Sequence, residues 1–374
     1  MDKNLANTVS ITRCNSYHLQ TMLESFTELF KPWNGISYFV KPGQKVLLKP
    51  NLLAAARPEE AVTTHPVIIK ALAILVQEAG GIVHIADSPG TDDPDLVYRK
   101  TGMKEVAEET NSELIKFDHT KNKDYYINSD HEKFKLASTL DQMDLVINVA
   151  KLKTHPLTGL TAAVKNTYGC IVGKKKALLH VEHPLPKSFS RLVLEVYLAV
   201  KPGLSIIDAV VSMEGVGPRN GNPRHTGLLL ASPNAIAVDR AAAEITGFYI
   251  EEVPTLTAAR EKVLTGTDLK EITIKGLSLK ESKIKNFNKG LAAGGSIGRL
   301  VANFPLARFR GWAKNRRPYP EIDKNICINC GKCVKDCPAQ IIIAGQPIPD
   351  IELSSCIRCY CCREFCPEGA IILK

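Results

Sequence analysis

The sequence predicts an α/β fold with a mostly parallel sheet flanked by helices, followed by a small α+β domain at the C-terminus. Strand-like and helix-like segments alternate over most of the chain, separated by Gly and Pro, which is typical of a parallel sheet. The tail differs because nine of the eleven cysteines lie in it. We therefore expect an α/β domain over residues 1–285, a basic linker or docking arm over 286–320, and the cysteine-rich domain over 321–374.

The first half of the chain contains the clearest strand–helix–strand unit. A buried strand at 45–49 ends at Pro50 and Asn51. Thr64 is the expected N-cap of a helix at 67–79, which Gly80 ends before a strand at 82–86. We also expect a strand at 9–14, a helix at 18–30, a helix at 104–111, a strand at 113–117, and a hairpin that joins 125–127 to 133–137.

The second half begins with a mostly apolar run at 144–150, which predicts a buried parallel strand. Thr158, Gly159 and Thr161 are expected to open a helix. Further along the chain we expect helices at 188–200, 234–246 and 257–264, and strands at 204–210, 227–231 and 271–275.

Polar residues follow several predicted strands. In open α/β sheets ligands bind beyond the carboxyl ends of the strands, so these residues define a candidate site. The strongest group is Lys151, Lys153 and His155, because the helix expected at Thr158 would add its free N–H groups to make an anion site. A solvated strand end is the alternative for each residue alone. The full candidate catalytic set is Lys49, Asn51, Asp87, Lys151, Lys153, His155, Lys165 and Asn166.

The cysteine tail contains two C-x2-C-x2-C-x3-C-P runs, the bacterial spacing for a pair of [4Fe–4S] clusters. Three cysteines of each run hold one cluster, and the fourth holds the other. The spacing therefore predicts two [4Fe–4S] clusters as cofactors. The ligands are Cys327, Cys330, Cys333 and Cys366 for the first, and Cys356, Cys359, Cys362 and Cys337 for the second.

Zinc and disulfides are the alternatives for such a tail. Zinc sites use paired knuckles rather than triplets with a trailing Cys-Pro, and a disulfide framework belongs to a secreted chain. Cys361 is a ninth thiol, expected to be an unligated neighbour or an alternative ligand. The pair His180 and His183 is expected to lie in a loop.

Composition and charge narrow the class of protein. No apolar run is long enough for a membrane span, and the N-terminus lacks the apolar core of a signal peptide, so we expect a cytoplasmic location. The net charge of +9 lies in residues 280–317, where ten Lys and Arg face Glu281 alone. This arm is expected to dock on the cluster domain or on a partner. A membrane surface is the other interpretation, and no nucleic-acid partner is expected.

The large domain resembles a known family at four motifs: Lys49-Pro-Asn51, Asp87-Ser-Pro-Gly90, Lys151-x-Lys153-Thr-His155, and Thr158-Gly-x-Thr161 followed by Lys165-Asn166. They are similar to the domain-of-unknown-function family numbered 362 (DUF362), whose members often carry a two-cluster ferredoxin tail. The resemblance covers residues 7–285 and implies a cytoplasmic iron–sulfur protein of the kind common in anaerobes. It implies a polar site in the large domain but supplies no substrate.

Three functions are compatible with these features. The favoured one is an oxidoreductase that receives low-potential electrons from a soluble redox protein and passes them to a substrate or cofactor at the strand-end site. The second is an electron carrier or assembly partner that docks through the basic arm. The third is a non-redox enzyme on an anionic small molecule, with structural or redox-sensing clusters.

Overall fold

The computed structural model describes residues 5–117, 124–127, 132–173, 175–290 and 318–374. Within them, the large domain is built on a mixed, mostly parallel sheet of nine strands. The strands are β1 (Thr8–Arg13), β2 (Lys45–Lys49), β3 (Ile82–Ile85), β4 (Glu113–Leu114), β7 (Leu145–His155), β8 (Gly159–Thr161), β9 (Leu204–Glu214), β10 (Asn222–Ser232) and β11 (Thr273–Gly276). A separate hairpin pairs β5 (Asp124–Ile127) with β6 (Glu132–Lys135).

The strand order is β11-β1-β10-β9-β7-β2-β3-β4, with β8 paired to β7. The pairs from β9 through β7, β2 and β3 to β4 are parallel, whereas β10 runs antiparallel to both of its neighbours. β7 and β9 therefore lie at the centre of the sheet. Their carboxyl ends meet at one edge, where a ligand site is expected.

Helices cover both faces of the sheet and divide the core in two. In chain order they are α1 (Leu19–Phe30), α2 (Pro66–Glu78), α3 (Pro94–Lys100), α4 (Met103–Glu109), α5 (Ala163–Asn166), α6 (Lys175–Glu182), α7 (Pro186–Val200), α8 (Ala235–Thr246) and α9 (Pro254–Glu261). Apolar residues of α1, α2 and α4 pack on one face, and those of α7, α8 and α9 pack on the other. The predicted α/β class is confirmed.

Several predictions of the elements are wrong in detail. β7 continues to His155 instead of ending at Ala150, so Lys151 and Lys153 lie within a strand. The segment from Gly159 to Thr161 is a strand and does not open a helix. The N-cap of α2 is His65, whose Nδ1 accepts from the N–H of Val67. His180 lies in α6 and not in a loop. α3 and α6 were not predicted.

The cysteine-rich domain is small. It contains β12 (Pro320–Ile322), α10 (Lys332–Lys335), β13 (Ile342–Ile343), β14 (Asp350–Ile351), α11 (Cys361–Phe365) and β15 (Ile371–Leu373). β12 pairs with β15, and β13 pairs with β14. This combination of short strands and helices agrees with the predicted α+β class.

The basic arm falls mostly outside the described residues, because 291–317 are not among them. The described basic residues before 291 pack on the rest of the large domain. Lys289 pairs with Glu252 at 2.7 Å, and Lys283 donates to the carbonyl of Glu244. The predicted docking of the remaining arm stays a prediction.

Candidate functional site

The edge of the sheet at the end of β7 buries three charged or titratable side chains in a row. Lys151, Lys153 and His155 alternate along the strand, so all three point to one face. The side chains of Lys151 and Lys153 are fully buried, and His155 is 3% exposed. A buried charge is stable only where other groups pair with it, so the partners of these residues determine the local structure.

Lys151 belongs to a closed polar network. Its Nζ pairs with Oδ2 of Asp208 at 2.8 Å and donates to the hydroxyl of Tyr17 at 3.0 Å. Tyr17 in turn donates to Oδ1 of Asp208 at 2.8 Å, and its ring stacks on His65. Burial lowers the pKa of Lys151 and Asp208 opposes the shift. All groups of this network bond to one another, which indicates a structural role for Lys151.

Lys153 is held by polar groups of the loop that follows β2. Its Nζ donates to Oδ1 of Asn51 at 2.8 Å and to the carbonyl of Val62 at 2.7 Å. The amide of Asn51 then donates to Oδ1 of Asn166 at 3.0 Å. Burial lowers the pKa of Lys153 to about 7, and the ammonium groups of Lys165 and Lys151 add to the shift.

Lys49 and Asp87 form a buried ion pair at the ends of β2 and β3. Lys49 Nζ lies 2.8 Å from Oδ1 of Asp87, and the two side chains are 0% and 4% exposed. The backbone N–H of Leu52 donates to the other carboxylate oxygen. Gly169 makes this close approach possible, because a Cβ at this position would lie 2.2 Å from Oδ1 of Asp87.

A cavity of ≈ 70 Å³ lies beside these groups, between the large domain and the cysteine-rich domain. Asn51, Asp87, Lys165 and Asn166 of the predicted set line it. Ser88, Thr161, Tyr168, Lys176, His180, Glu364 and Phe365 complete its polar and aromatic lining. The cavity therefore brings together residues that are far apart in the sequence.

Two consecutive residues of the cysteine-rich domain close the cavity. Glu364 and Phe365 lie in α11, directly before the predicted ligand Cys366. Phe365 packs against Gly90, where a Cβ would lie 2.7 Å from its ring. Nearby, Asn220 donates to the carbonyls of Arg363 and Cys366. These contacts fix α11 to the large domain.

His155 is the partner of Glu364 across the domain boundary. Its Nε2 lies 2.9 Å from Oε1 of Glu364, although off the line of a strong hydrogen bond. The backbone N–H groups of Leu157 and Thr158 donate to Nδ1 of His155, which assigns the proton of the neutral ring to Nε2. Burial alone would raise the pKa of Glu364, but His155, His180 and Lys165 together lower it to about 2.

The predicted anion site at a helix N-terminus is wrong. The helix begins only at Ala163 and has four residues. The N–H groups of Ala163 and Val164 already bond to the carboxylate of Asp239, at 2.6 and 3.0 Å. The carboxylate of this chain thus takes the position that a bound anion was expected to occupy.

Of the eight residues in the predicted catalytic set, four line the cavity and three touch its lining. Lys49 does so through Asp87, Lys153 through Asn51, and His155 through Glu364. Lys151 is the exception, because its partners form the separate Tyr17 network. The prediction missed Thr161 as a lining group, and Tyr168, Lys176, His180, Glu364 and Phe365. The helical pattern of 175–182 could have indicated Lys176 and His180, but nothing in the sequence indicated Glu364.

The predicted cysteine ligands line two small cavities in the cysteine-rich domain. Each cavity contains four of them, drawn from both runs. One is lined by Cys327, Cys330, Cys333 and Cys366, and the other by Cys337, Cys356, Cys359 and Cys362. Cys361 lines neither of them, and its side chain hydrogen-bonds with that of Cys359. The thiols present therefore fit two four-cysteine sites.

Comparison with known proteins defines the class. Residues 319–367 match the 4Fe-4S dicluster domain, so the chain is an iron–sulfur protein. Residues 46–244 match the family described as Domain of unknown function (DUF362). The chain belongs to the DUF362 family.

One protein sequence and two solved structures are similar to this chain. The chain is 36% identical over 261 residues to a thylakoid-associated protein of Synechocystis sp., a match that covers 69% of this chain and 80% of that protein. Among solved structures it is similar to the lactate racemase apoprotein from Thermoanaerobacterium thermosaccharolyticum, with 12% identity and a TM-score of 0.40. That match covers 66% of this chain and 58% of the racemase. A protein from Thermotoga maritima matches at 14% identity and a TM-score of 0.33, over 52% of this chain and 51% of its own.

No helix in the parts of the chain that the structure describes is long and apolar enough to cross a membrane.

We expect the substitution Lys49→Met to destabilise the protein by about 3–5 kcal/mol, because it leaves the carboxylate of Asp87 buried without its cation. Denaturant unfolding followed by circular dichroism measures the change. The double variant Lys49→Met/Asp87→Asn is the control and should recover part of the loss. A single variant as stable as the wild type would contradict the importance of the pair.

Stability should also fall in acid because His180 is neutral in the fold. Burial lowers its pKa from 6.5 to about 3. The unfolded chain takes up this proton near pH 6.5 while the folded chain does not, so the free energy of unfolding decreases as the pH falls from 6.5 toward about 3. The slope from one such group is at most about 1.4 kcal/mol per pH unit.

The variant His180→Phe should therefore lose less stability than the wild type between about pH 7 and about pH 5. Parallel unfolding curves at the two pH values measure the difference. Equal losses in both proteins would show that His180 does not take up this proton on unfolding.

Proposed function

We propose that this protein is an oxidoreductase that binds an electron acceptor in the cavity between its domains. The cysteine-rich domain would hold two [4Fe–4S] clusters, which supply single electrons at low potential. The observation that carries the proposal is the position of α11. Its residues Glu364 and Phe365 line the cavity and lie between the predicted ligands Cys362 and Cys366. An acceptor in the cavity would therefore contact the segment that carries these ligands.

The two ligand sets support the pair of clusters. A cubane needs four thiolates, and each small cavity is lined by four cysteines in the combination that the spacing predicts. The pKa of Cys333 responds to the charges of Cys366, Cys327 and Cys330, after the larger effect of burial. The fourth cysteine of the second run thus lies with the first three of the other run.

Exposure supports a direction for electron flow. Cys330 of the first set is exposed, and its neighbour Ile328 is 62% exposed. In the second set Cys359 and Cys362 are buried. Cys359 belongs to the same group of packed apolar side chains as Phe365 of the cavity wall. We propose that a soluble redox protein delivers electrons near Cys330. The donor is oxidised and the acceptor in the cavity is reduced.

The cavity also contains a group suited to proton transfer. Burial lowers the pKa of Lys176 to about 7, so this lysine can donate a proton near neutral pH. Its three N–H bonds point to the hydroxyl and carbonyl of Ser88 and to the carbonyl of Pro89. We propose that the hydroxyl of Ser88, which lines the cavity, passes protons from Lys176 to the acceptor, and that the protein works in the cytoplasm.

A cavity-filling variant tests the oxidoreductase proposal. Ala177 lines the cavity, so Ala177→Leu should exclude the acceptor without altering a cysteine. Leu178 is the next residue of α6 and is 49% exposed, so Leu178→Ala is the matched control. The full chain is reduced anaerobically, freed of reductant and mixed with a panel of small acceptors, and reoxidation is followed by visible absorption.

We expect reoxidation by at least one acceptor to saturate with its concentration in the wild type and in Leu178→Ala, and to slow by about tenfold or more in Ala177→Leu. Equal rates in all three proteins would contradict the proposal. That outcome would favour an electron carrier, for which the cavity is not needed, or a non-redox enzyme.

Two adjacent cysteines test the ligand assignment. Cys362→Ser should reduce the iron content from about eight to about four atoms per chain, because one cluster loses a thiolate. Cys361→Ser should keep about eight, since Cys361 lines neither cysteine cavity. Iron and acid-labile sulfide assays on anaerobically purified protein measure both. Loss of iron in Cys361→Ser with none in Cys362→Ser would reverse the assignment.

A further inference from the structure

Among the residues that the structure describes, the ammonium group of Lys165 lines the cavity between the two domains without a hydrogen bond or an ion pair. Among the described residues, Lys49 pairs with Asp87, Lys153 donates to Asn51 and Val62, and Lys176 donates to the loop at Ser88. Lys165 is different, because within the same described parts of the chain no hydrogen bond or ion pair holds its Nζ. Its ammonium group lies 4.8 Å from the centre of the Tyr168 ring and 5.6 Å from that of Phe189.

The aromatic contacts hold Lys165 in place but leave its N–H bonds available. Burial lowers the pKa of this lysine, while the charge of Glu364 opposes the shift without forming a salt bridge. Glu364 is already faced by His155, and Asp87 by Lys49. Each carboxylate that lines the cavity thus faces a side chain of the protein, Glu364 the neutral ring of His155 and Asp87 the ammonium group of Lys49, whereas the printed contacts of the Lys165 ammonium group are with aromatic rings.

A second observation points to a missing polar ligand. The hydroxyl of Thr161 and Nδ1 of His180 are both buried in the lining, and neither has a hydrogen-bond partner among the described residues. Thr161 is 4% exposed and His180 is 5% exposed. The buried oxygens Oδ1 of Asp87 and Oε1 of Glu364 also lack a hydrogen bond, but each has an ion-pair contact. Unpaired buried polar groups are rare because each has lost its contact with water, so Thr161 and His180, which have neither kind of contact among the described residues, require an explanation. A bound molecule with oxygen acceptors would pair with Thr161 and with Lys165.

The size of the cavity limits that molecule. A volume of ≈ 70 Å³ corresponds to about five water positions. Cavities for cofactor-sized ligands are several times larger, at about 300 Å³ or more. The ligand therefore has only a few non-hydrogen atoms.

We infer that the cavity binds a compact oxyanion, a small carboxylate or a phosphate, whose oxygens accept hydrogen bonds from Lys165 Nζ and the Thr161 hydroxyl. The inference rests on the proposed function only in identifying this cavity as the substrate site. Carboxylate and phosphate share the chemistry that these donors recognise. Because the two groups are similar in size, the volume of the cavity does not select between them, and the experiment must do so.

Binding is tested on the full chain with its clusters in place and oxidised, so that no electron transfer takes part. Acetate, oxalate and inorganic phosphate are titrated separately by isothermal calorimetry. The variants are Lys165→Met, which keeps the length of the side chain, and Thr161→Val, which keeps its shape. Lys104→Met is the matched control, because Lys104 is exposed on α4 and only approaches Glu108 at 3.7 Å.

We expect at least one of the three anions to bind the wild type and Lys104→Met with a stoichiometry of about one. Loss of a charge-assisted hydrogen bond should weaken binding by about tenfold or more in Lys165→Met, and loss of the hydroxyl should weaken it in Thr161→Val. Binding of a carboxylate alone or of phosphate alone identifies the ligand class. Failure of all three anions to bind, or unchanged affinity in Lys165→Met, overturns the inference.

The result is separable from the test of the oxidoreductase proposal. If an anion binds through Lys165 but no acceptor reoxidises the reduced protein, the oxyanion site stands and the redox role fails. If Ala177→Leu blocks reoxidation while none of the anions binds, the redox role stands and the oxyanion inference fails.

Discussion

The burial of lysine ammonium groups at the carboxyl edge of the sheet is the constraint on which the rest of the structure depends. Lys49, Lys151 and Lys153 are fully buried there. Desolvation costs several kcal/mol for each ion, so each ammonium group needs partners that arrive from other parts of the chain. Asp87, Asp208 and Asn51 provide them, and each follows or lies in a different strand. The electrostatic requirement of each lysine thus ties neighbouring strands together at the site.

A contact between buried polar side chains also joins the cysteine-rich domain to the large domain. Glu364 contributes the carboxylate that faces His155, and its neighbour Phe365 closes the cavity against Gly90. Because α11 also carries the predicted ligand Cys362, two residues that line the cavity and one residue that would hold iron lie on the same helix. The two domains therefore meet at the cavity through a few direct contacts.

The sequence predicted those elements and ligand sets that a local pattern of residues determines. It did not predict the features that depend on contacts between distant parts of the chain. The apolar run before Lys151 predicted β7 but ended it too early, because Lys151 and Lys153 interrupt the hydrophobic pattern. Their charges are compensated only in three dimensions, by Asp208 and Asn51. The strand at Gly159–Thr161 exists because it pairs with Lys153–His155. The cysteine spacing predicted two ligand sets that coincide with the cavities. The same spacing contains no information about the contact of Glu364 with the large domain.

The most direct test of the central claim is a redox titration of the anaerobically purified full chain, monitored by electron paramagnetic resonance. The wild type, with its cavity open, is compared with Ala177→Leu, in which the cavity is filled. We expect two low-potential signals, at about −400 mV, at least one of which changes when Ala177→Leu fills the cavity beside α11. Clusters that strong reductants cannot reduce would contradict electron delivery. Signals with the same potentials and shapes in the wild type and in Ala177→Leu would contradict the coupling of the two domains.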